Sequence, residues 1–135
     1  MMAERNDEPK GELVLRTLAM PADTNANGDI FGGWIMSQMD IAGSILAKEI
    51  ANSRTVTVAA ESIHFISPVH VGDVVCCYGR VVKVGNTSVT IRLEVWVKPI
   101  LRKNEERQRR FKVTEAAFTY VAIDEEGNKR PISRD

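Results

Sequence analysis

The sequence predicts an α+β fold, a curved antiparallel sheet wrapped around one long central helix, and three observations point to it. A proline-free stretch, 33–51, carries apolar side chains almost all round a helical wheel. Four strand-like segments follow it, separated by turns, with no second helix among them. One short strand precedes it. Strands that follow one another through short turns pair antiparallel, and a helix apolar on every side must be surrounded.

In chain order, ELVLRTLAM (12–20) reads as the first strand, stopped by Pro21 and the turn-rich string DTNANGD (23–29), where Asn27-Gly28 is the strongest turn signal. The helix then runs from Gly33 to Ala51, interrupted only by Gly43; about 19 residues at 1.5 Å each give roughly 28 Å. TVTVAAESIHF (55–65) is the next strand, and ISPVHVGD with Pro68 and Gly72 connects it to DVVCCYGRVVKV (73–84). A turn, VGNTS (84–88), leads into SVTIRLEVWVK (88–98), where Val89, Ile91, Leu93, Val95 and Val97 alternate with Thr90, Arg92, Glu94, Trp96 and Lys98 as in a half-buried strand. A long charged hairpin, PILRKNEERQRR (99–110), joins it to the last strand, FKVTEAAFTYVAID (111–124).

The chain has 135 residues, 18 Lys and Arg against 18 Asp and Glu, and 44% hydrophobic residues. Domains centre on about 100–150 residues, so one core is expected and no second independent one. We read 1–135 as a single domain with its ordered core over about 12–125, a lead-in at 1–11 and a polar tail at 127–135. Balanced charge removes the electrostatic reason to expect nucleic acid or a membrane surface as the main partner. The opening MMAERNDEPKG holds no apolar signal core, and nowhere do about 18 apolar residues run together, so a cytoplasmic location is expected. Cys76 and Cys77 are neighbours on a strand and point to opposite faces, which predicts reduced, partly buried thiols. With only these and two His, no metal site is expected.

On the helical wheel Gly33, Ser37, Asp40, Ser44 and Lys48 fall within a stripe of about 80°. Asp40 is the only ionisable side chain between Trp34 and Ala47. A buried, charged and unpaired carboxylate costs several kcal/mol, so this one calls for a reason. It is half exposed at a sheet edge, or hydrogen-bonded to a backbone amide or Ser37, or else it is a general base or nucleophile in a dry groove. At the helix start, Gly32 and Gly33 leave the emerging N–H groups uncovered, which suits an oxyanion, although paired glycines also let a helix pass close to a strand. Gly33 and Asp40 lie about 10 Å apart along one rigid helix, too far for one carbonyl to touch both. If both serve one site they belong to different copies of the chain, packed antiparallel across a two-fold axis.

Asn25 supplies an amide just ahead of the helix, where turn formation is its ordinary role. His64 sits on a strand as a base or as a structural residue. The candidates for substrate binding are Ser37 and Ser44 on the stripe, Glu61 on the following strand, and Arg80, Lys83, Gly85, Asn86, Thr87 and Ser88 in GRVVKVGNTS, whose charges and turn groups suit phosphate. A solvated hairpin is the simpler account of the last group. No phosphate loop, dinucleotide glycine fingerprint or G-x-S-x-G elbow is present.

Taken together, LAMPADTNANGDIFGGWIMSQMDIAG (18–43), VTVAAESIHFISPVHVGDVV (56–75) and VKVGNTSVTIRLEVWV (82–97) closely resemble the hotdog-fold acyl-CoA thioesterases, specifically the YciA-type bacterial acyl-CoA hydrolases. The resemblance spans nearly the whole chain, and the pattern P-x-D-T-N-x-x-G-x-x-F-G-G-x-x-M-x-x-x-D is far more specific than its parts. It implies a curved sheet around one helix, with two units joined into a continuous sheet and assembled as a trimer of dimers. It also implies Asp40 as the catalytic carboxylate, Asn25 as the residue orienting water or thioester, and the amides near Gly32 and Gly33 as the group polarising the carbonyl across the dimer interface. Coenzyme A then enters as part of the substrate, and no separate cofactor is implied. Trp34, Met36, Met39, Ile63 and Phe65 are candidates for the acyl tunnel or, equally, for the core. Two other readings remain: a hotdog hydratase or dehydratase using His64, and an acyl-CoA binding or sensing module. An acyl-carrier-protein thioesterase is a close variant of the hydrolase reading.

Overall fold

The computed structural model describes residues 8–100 and 109–133. In chain order these form β1 (Glu12–Leu18), a single 3-10 turn (Pro21–Asp23), α1 (Gly32–Ala51), β2 (Arg54–Phe65), β3 (Val74–Val84), β4 (Ser88–Lys98) and β5 (Phe111–Ile123). The strands make one sheet in the order β1-β3-β4-β5-β2, every neighbouring pair antiparallel, and α1 packs against all five. This is the arrangement implied by the resemblance. Residues 101–108 of the charged hairpin lie outside the described residues.

Element ends differ from the expected ones by one or two residues, and β1 stops at Leu18 because Pro21 opens the 3-10 turn. The Asn27-Gly28 turn forms with Gly28 at φ 86°, a conformation that glycine enters without the Cβ penalty. At its other end α1 stops where Asn52 takes a left-handed conformation at φ 54° and donates its amide to the Lys48 carbonyl at 2.7 Å.

One face of α1, with Ile35, Met39, Ala42, Leu46 and Ala47, meets the inner face of the sheet, where Val75, Cys77, Val89, Ile91, Leu93, Val95, Phe118 and Tyr120 are buried. Burying each large apolar side chain contributes about 1.5–3 kcal/mol, so this interface supplies most of the hydrophobic drive. The other flank of the helix stays open in a single chain: Ile41 is 48% exposed and Ile45 39%.

β4 departs from the half-buried strand expected for it. Its inner residues are buried as the alternation requires, but Glu94 and Trp96 on the outer face are buried too. Trp96 Nε1 donates to Glu94 Oε1 at 2.8 Å, and the Lys10 amide lies 3.3 Å from the same oxygen, so chain preceding β1 helps to cover that face. Both cysteines are free and fully buried, not partly: Cys77 in the core and Cys76 paired in register with Trp96.

Candidate active site

Strand register sets up the site. Val84, Val89, Tyr120 and Thr57 lie opposite one another in a row across β3, β4, β5 and β2. Directly paired residues share a face, and this row faces the helix. It meets α1 at Asp40. Thr57 Oγ1 donates to Asp40 Oδ1 at 2.7 Å, and the Tyr120 hydroxyl donates to the same oxygen at 3.0 Å and lies 3.2 Å from the Asp40 carbonyl oxygen. Oδ2 has no protein partner among the described residues. The carboxylate is thus gripped through one oxygen and open at the other. Ser37, one of the local partners considered from sequence, instead donates to the Trp34 carbonyl at 2.7 Å.

Tyr120 is itself buried. That burial, then the nearby Asp40 charge and the hydrogen bond to it, raise its pKa well above the ordinary tyrosine range, so it stays neutral and remains a donor. Ser44, on the helix, has a smaller and opposite effect. Thr57 and Tyr120 were missed in the sequence. Their signal was weak: a threonine in an alternating strand, and a tyrosine hydroxyl on the inner face of β5.

The start of α1 has no side-chain cap: Phe31 is at the N-cap, and the Ile35 amide reaches the Phe31 carbonyl at 3.3 Å. A Cβ on Gly33 would meet nothing within 4 Å, and one on Gly32 would only touch the Phe65 ring at 3.4 Å. Close strand packing therefore explains neither glycine, and the first amides of the helix, left without a side-chain cap, lie at the positive end of its dipole. No acidic residue occupies the first helical turn to compete for it.

Asn25 is a turn residue in structure. Its Oδ1 accepts the amides of Asn27 at 2.8 Å and Asp29 at 3.1 Å, closing the loop ahead of the helix. Only its side-chain NH2 remains available, so toward a ligand it is a donor.

The substrate-binding candidates separate. Ser44 lies near Tyr120 and Ser37 bonds its own helix. Glu61 and Arg80 end a row that runs Arg80, Arg92, Ala117, Glu61 on the outer face, so the structure does not bring them to Asp40 within one chain. Lys83 and Asn86 are exposed, and the tip Gly85–Ser88 closes through the Gly85 amide to the Ser88 carbonyl at 2.7 Å. The carbonyls of Asn86 and Thr87 accept the amides of Ile132 and Ala122. By strand spacing, Val84 at the base of that tip is about 14 Å from Thr57, the width of three strand gaps. Of the tunnel candidates, Met39 is a fully buried core residue, Trp34 and Ile63 pack on the core, and Met36 and Phe65 reach the surface. His64 pairs in register with Glu115, whose carboxylate binds Arg92 on the outer face, away from the helix. Among the described residues no three His, Cys, Asp or Glu side chains are grouped to hold a metal, and no helix is long and apolar enough to cross a membrane.

A sequence profile of the thioesterase superfamily matches residues 27–102. The chain is 63% identical over 131 residues to the acyl-CoA thioester hydrolase YciA of Salmonella typhimurium, an alignment covering 97% of each protein. Among solved structures it resembles the hexameric thioesterase y2039 from Yersinia pestis, with 59% identity and a TM-score of 0.86 over 95% of this chain and all of that one. It is also similar to HI0827, a hexameric broad-specificity acyl-coenzyme A thioesterase, with 62% identity and a TM-score of 0.89 over 95% of this chain and 85% of that one.

Proposed function

The chain belongs to the thioesterase superfamily and is an acyl-CoA thioester hydrolase of hotdog fold, and from that membership we propose a mechanism in which Asp40 is the general base in a site composed by two copies. The observation that carries it is the Asp40 carboxylate, fixed through Oδ1 with Oδ2 unpartnered among the described residues, midway along an otherwise uncharged stretch of helix.

The thioester carbonyl points at the uncovered amides of Gly32 and Gly33 in one copy, where the helix dipole stabilises the oxyanion. Asp40 of the facing copy takes a proton from water as the water oxygen attacks the carbonyl carbon. The NH2 of Asn25 donates to the thioester or to that water. Collapse of the tetrahedral intermediate breaks the C–S bond and releases the thiolate of coenzyme A, a good leaving group that needs no strong general acid. The free carboxylic acid is the other product, and the reaction needs no cofactor beyond its substrate.

The homodimer is the minimal active unit in this reading, and three dimers make the assembly. Supporting it are the roughly 10 Å that separate Gly33 from Asp40 on one helix, the exposed Ile41 and Ile45 beside Asp40, and the hexameric state of the relatives. One sheet and one hydrophobic cluster support a single-domain unit. We assign the enzyme to the cytoplasm on the class of its substrate alone. The hydratase reading loses its residue, because His64 pairs with Glu115 on the other face of the sheet.

The test is continuous thiol release from acyl-CoA thioesters from acetyl to palmitoyl, run beside Asp40→Asn. The variant keeps its fold and loses about 10²–10⁴ in turnover, the usual worth of a general base. Near-wild-type turnover would remove Asp40 from the mechanism, and acyl-CoA binding without release by the wild type would favour a sensing module.

A further inference from the structure

The chemistry of a carboxylate base depends on which oxygen is free and on whether the group can swing. Asp40 hangs from a helix by two rotatable bonds, and two strands hold it. Thr57 and Tyr120 face each other across the β2–β5 pair, and both donate to Oδ1. The tyrosine is the stiffer of the two. It is fully buried and stacks on Phe118 with ring centroids 6.4 Å apart and planes 21° from parallel. Its hydroxyl reaches the helix only because residue 43 has no side chain: a Cβ there would overlap the hydroxyl and stand 2.8 Å from the ring carbon that bears it. The same hydroxyl lies 3.2 Å from the main-chain oxygen of Asp40, so its single proton is within reach of both acceptors.

We propose that Tyr120 is a positioning residue for the thioesterase reaction: admitted to α1 by Gly43, its hydroxyl holds Asp40 through Oδ1 and leaves Oδ2 as the oxygen that takes the proton from water. The inference rests on the reading of Asp40 as the base. Two donors fill the accepting capacity of Oδ1, and the carboxylate cannot rotate without breaking both bonds. A base held within a few tenths of an ångström of its working position acts without reorganising, and loss of that hold lowers the chemical step and not binding. Tyr120 does not itself exchange a proton with substrate. Buried behind the carboxylate, it stays a neutral donor throughout the cycle.

The experiment is steady-state kinetics on Tyr120→Phe, Asp40→Asn and the double variant, with the oligomer and its melting checked first. The expected result is a fall in kcat of about ten- to a hundredfold in Tyr120→Phe with KM within about twofold, and no further fall when the change is added to Asp40→Asn. Installing 4-aminophenylalanine at position 120, which keeps a donor on the same ring, restores most of kcat. A folded Tyr120→Phe enzyme with wild-type kcat overturns the proposal, as does a loss repeated in full on the Asp40→Asn background, which would mark a packing role. Should Tyr120→Phe not fold, the 4-amino enzyme decides alone: retained kcat supports the proposal, and a folded but slow enzyme overturns it. Failure of the base reading looks different, because Asp40→Asn would itself remain active.

Discussion

Asn25 and Asp29 close a loop through a side chain: the Asn25 Oδ1 accepts the Asp29 amide at 3.1 Å while the Asn25 amide donates to the Asp29 carbonyl at 2.7 Å. The oxygen is therefore committed to the turn, and only the NH2 can face a substrate. Asn25→Asp keeps an acceptor for the turn but deletes the donor. It is expected to melt within a few degrees of the wild type and to lose about tenfold or more in kcat/KM, the scale of one hydrogen bond to a developing charge. Asn25→Ala loses both functions and melts lower as well. Equal activity in Asn25→Asp and the wild type would confine this residue to the turn.

Gly43→Ala tests the gap that admits Tyr120. The new methyl would press on the Tyr120 ring and come within 3.0 Å of Leu93 Cδ1, and neither neighbour is a free surface side chain. Overpacking of this kind costs about 1–3 kcal/mol. The expected outcome is a lower melting temperature together with a fall in kcat, read by thermal unfolding and by thiol release. An unchanged melting temperature would show that the helix can move off the sheet at this point without cost.

The helix was legible because a proline-free apolar run is a local signal, and Gly33 to Ala51 was extended by only one residue in the structure. Asp40 was legible for the same reason, as the only ionisable side chain between Trp34 and Ala47. Thr57 and Tyr120 were not, because their meeting depends on β5 lying between β4 and β2, a neighbour relation that strand sequence order does not contain. The faces taken by Glu61 and Arg80 depend on the parity of strands broken by register shifts, at Thr57/Ala59 and Glu61/His64 in β2 and at Val81/Lys83 in β3. One extra residue reverses every side chain beyond it, so residue type alone could not show that Glu61 and Arg80 lie on the outer face, away from Asp40. Met39 shows the same limit on the helix: apolar residue type alone does not separate core from tunnel lining.

Cys77 predicts the background of any thiol-release assay. Burial, with a smaller effect from the adjacent Cys76, pushes its thiol up to about 12, so almost no reactive thiolate exists at neutral pH. Cys76 is equally shut off from solvent. Native protein should therefore release no signal from a disulfide reagent over the time of an assay, and two equivalents after denaturation. Rapid labelling of the native enzyme would mean that β3 opens locally.

Glu115 links the outer face to pH. Its carboxyl is held below the usual carboxylate range, first by the hydrogen bond from Lys112 at 2.7 Å and, against the opposing effect of burial, by Arg92, also at 2.7 Å. A group whose pKa is depressed by folding stabilises the native state at every pH above its unfolded value and loses that contribution as pH falls through the folded one. The side chain is 35% exposed, so solvent screening limits the effect to about 1 kcal/mol or less. Glu115→Gln should therefore melt lower than the wild type at neutral pH, and the two melting curves should converge in acid, where Glu115 is protonated and the pairing is gone. Added salt should narrow the gap at neutral pH by screening the partly exposed pairs. A gap of constant size from neutral to acid pH would assign the loss to packing around Trp96 and Lys112, whose ammonium lies 6.0 Å from the indole ring centroid, and not to the charge on Glu115.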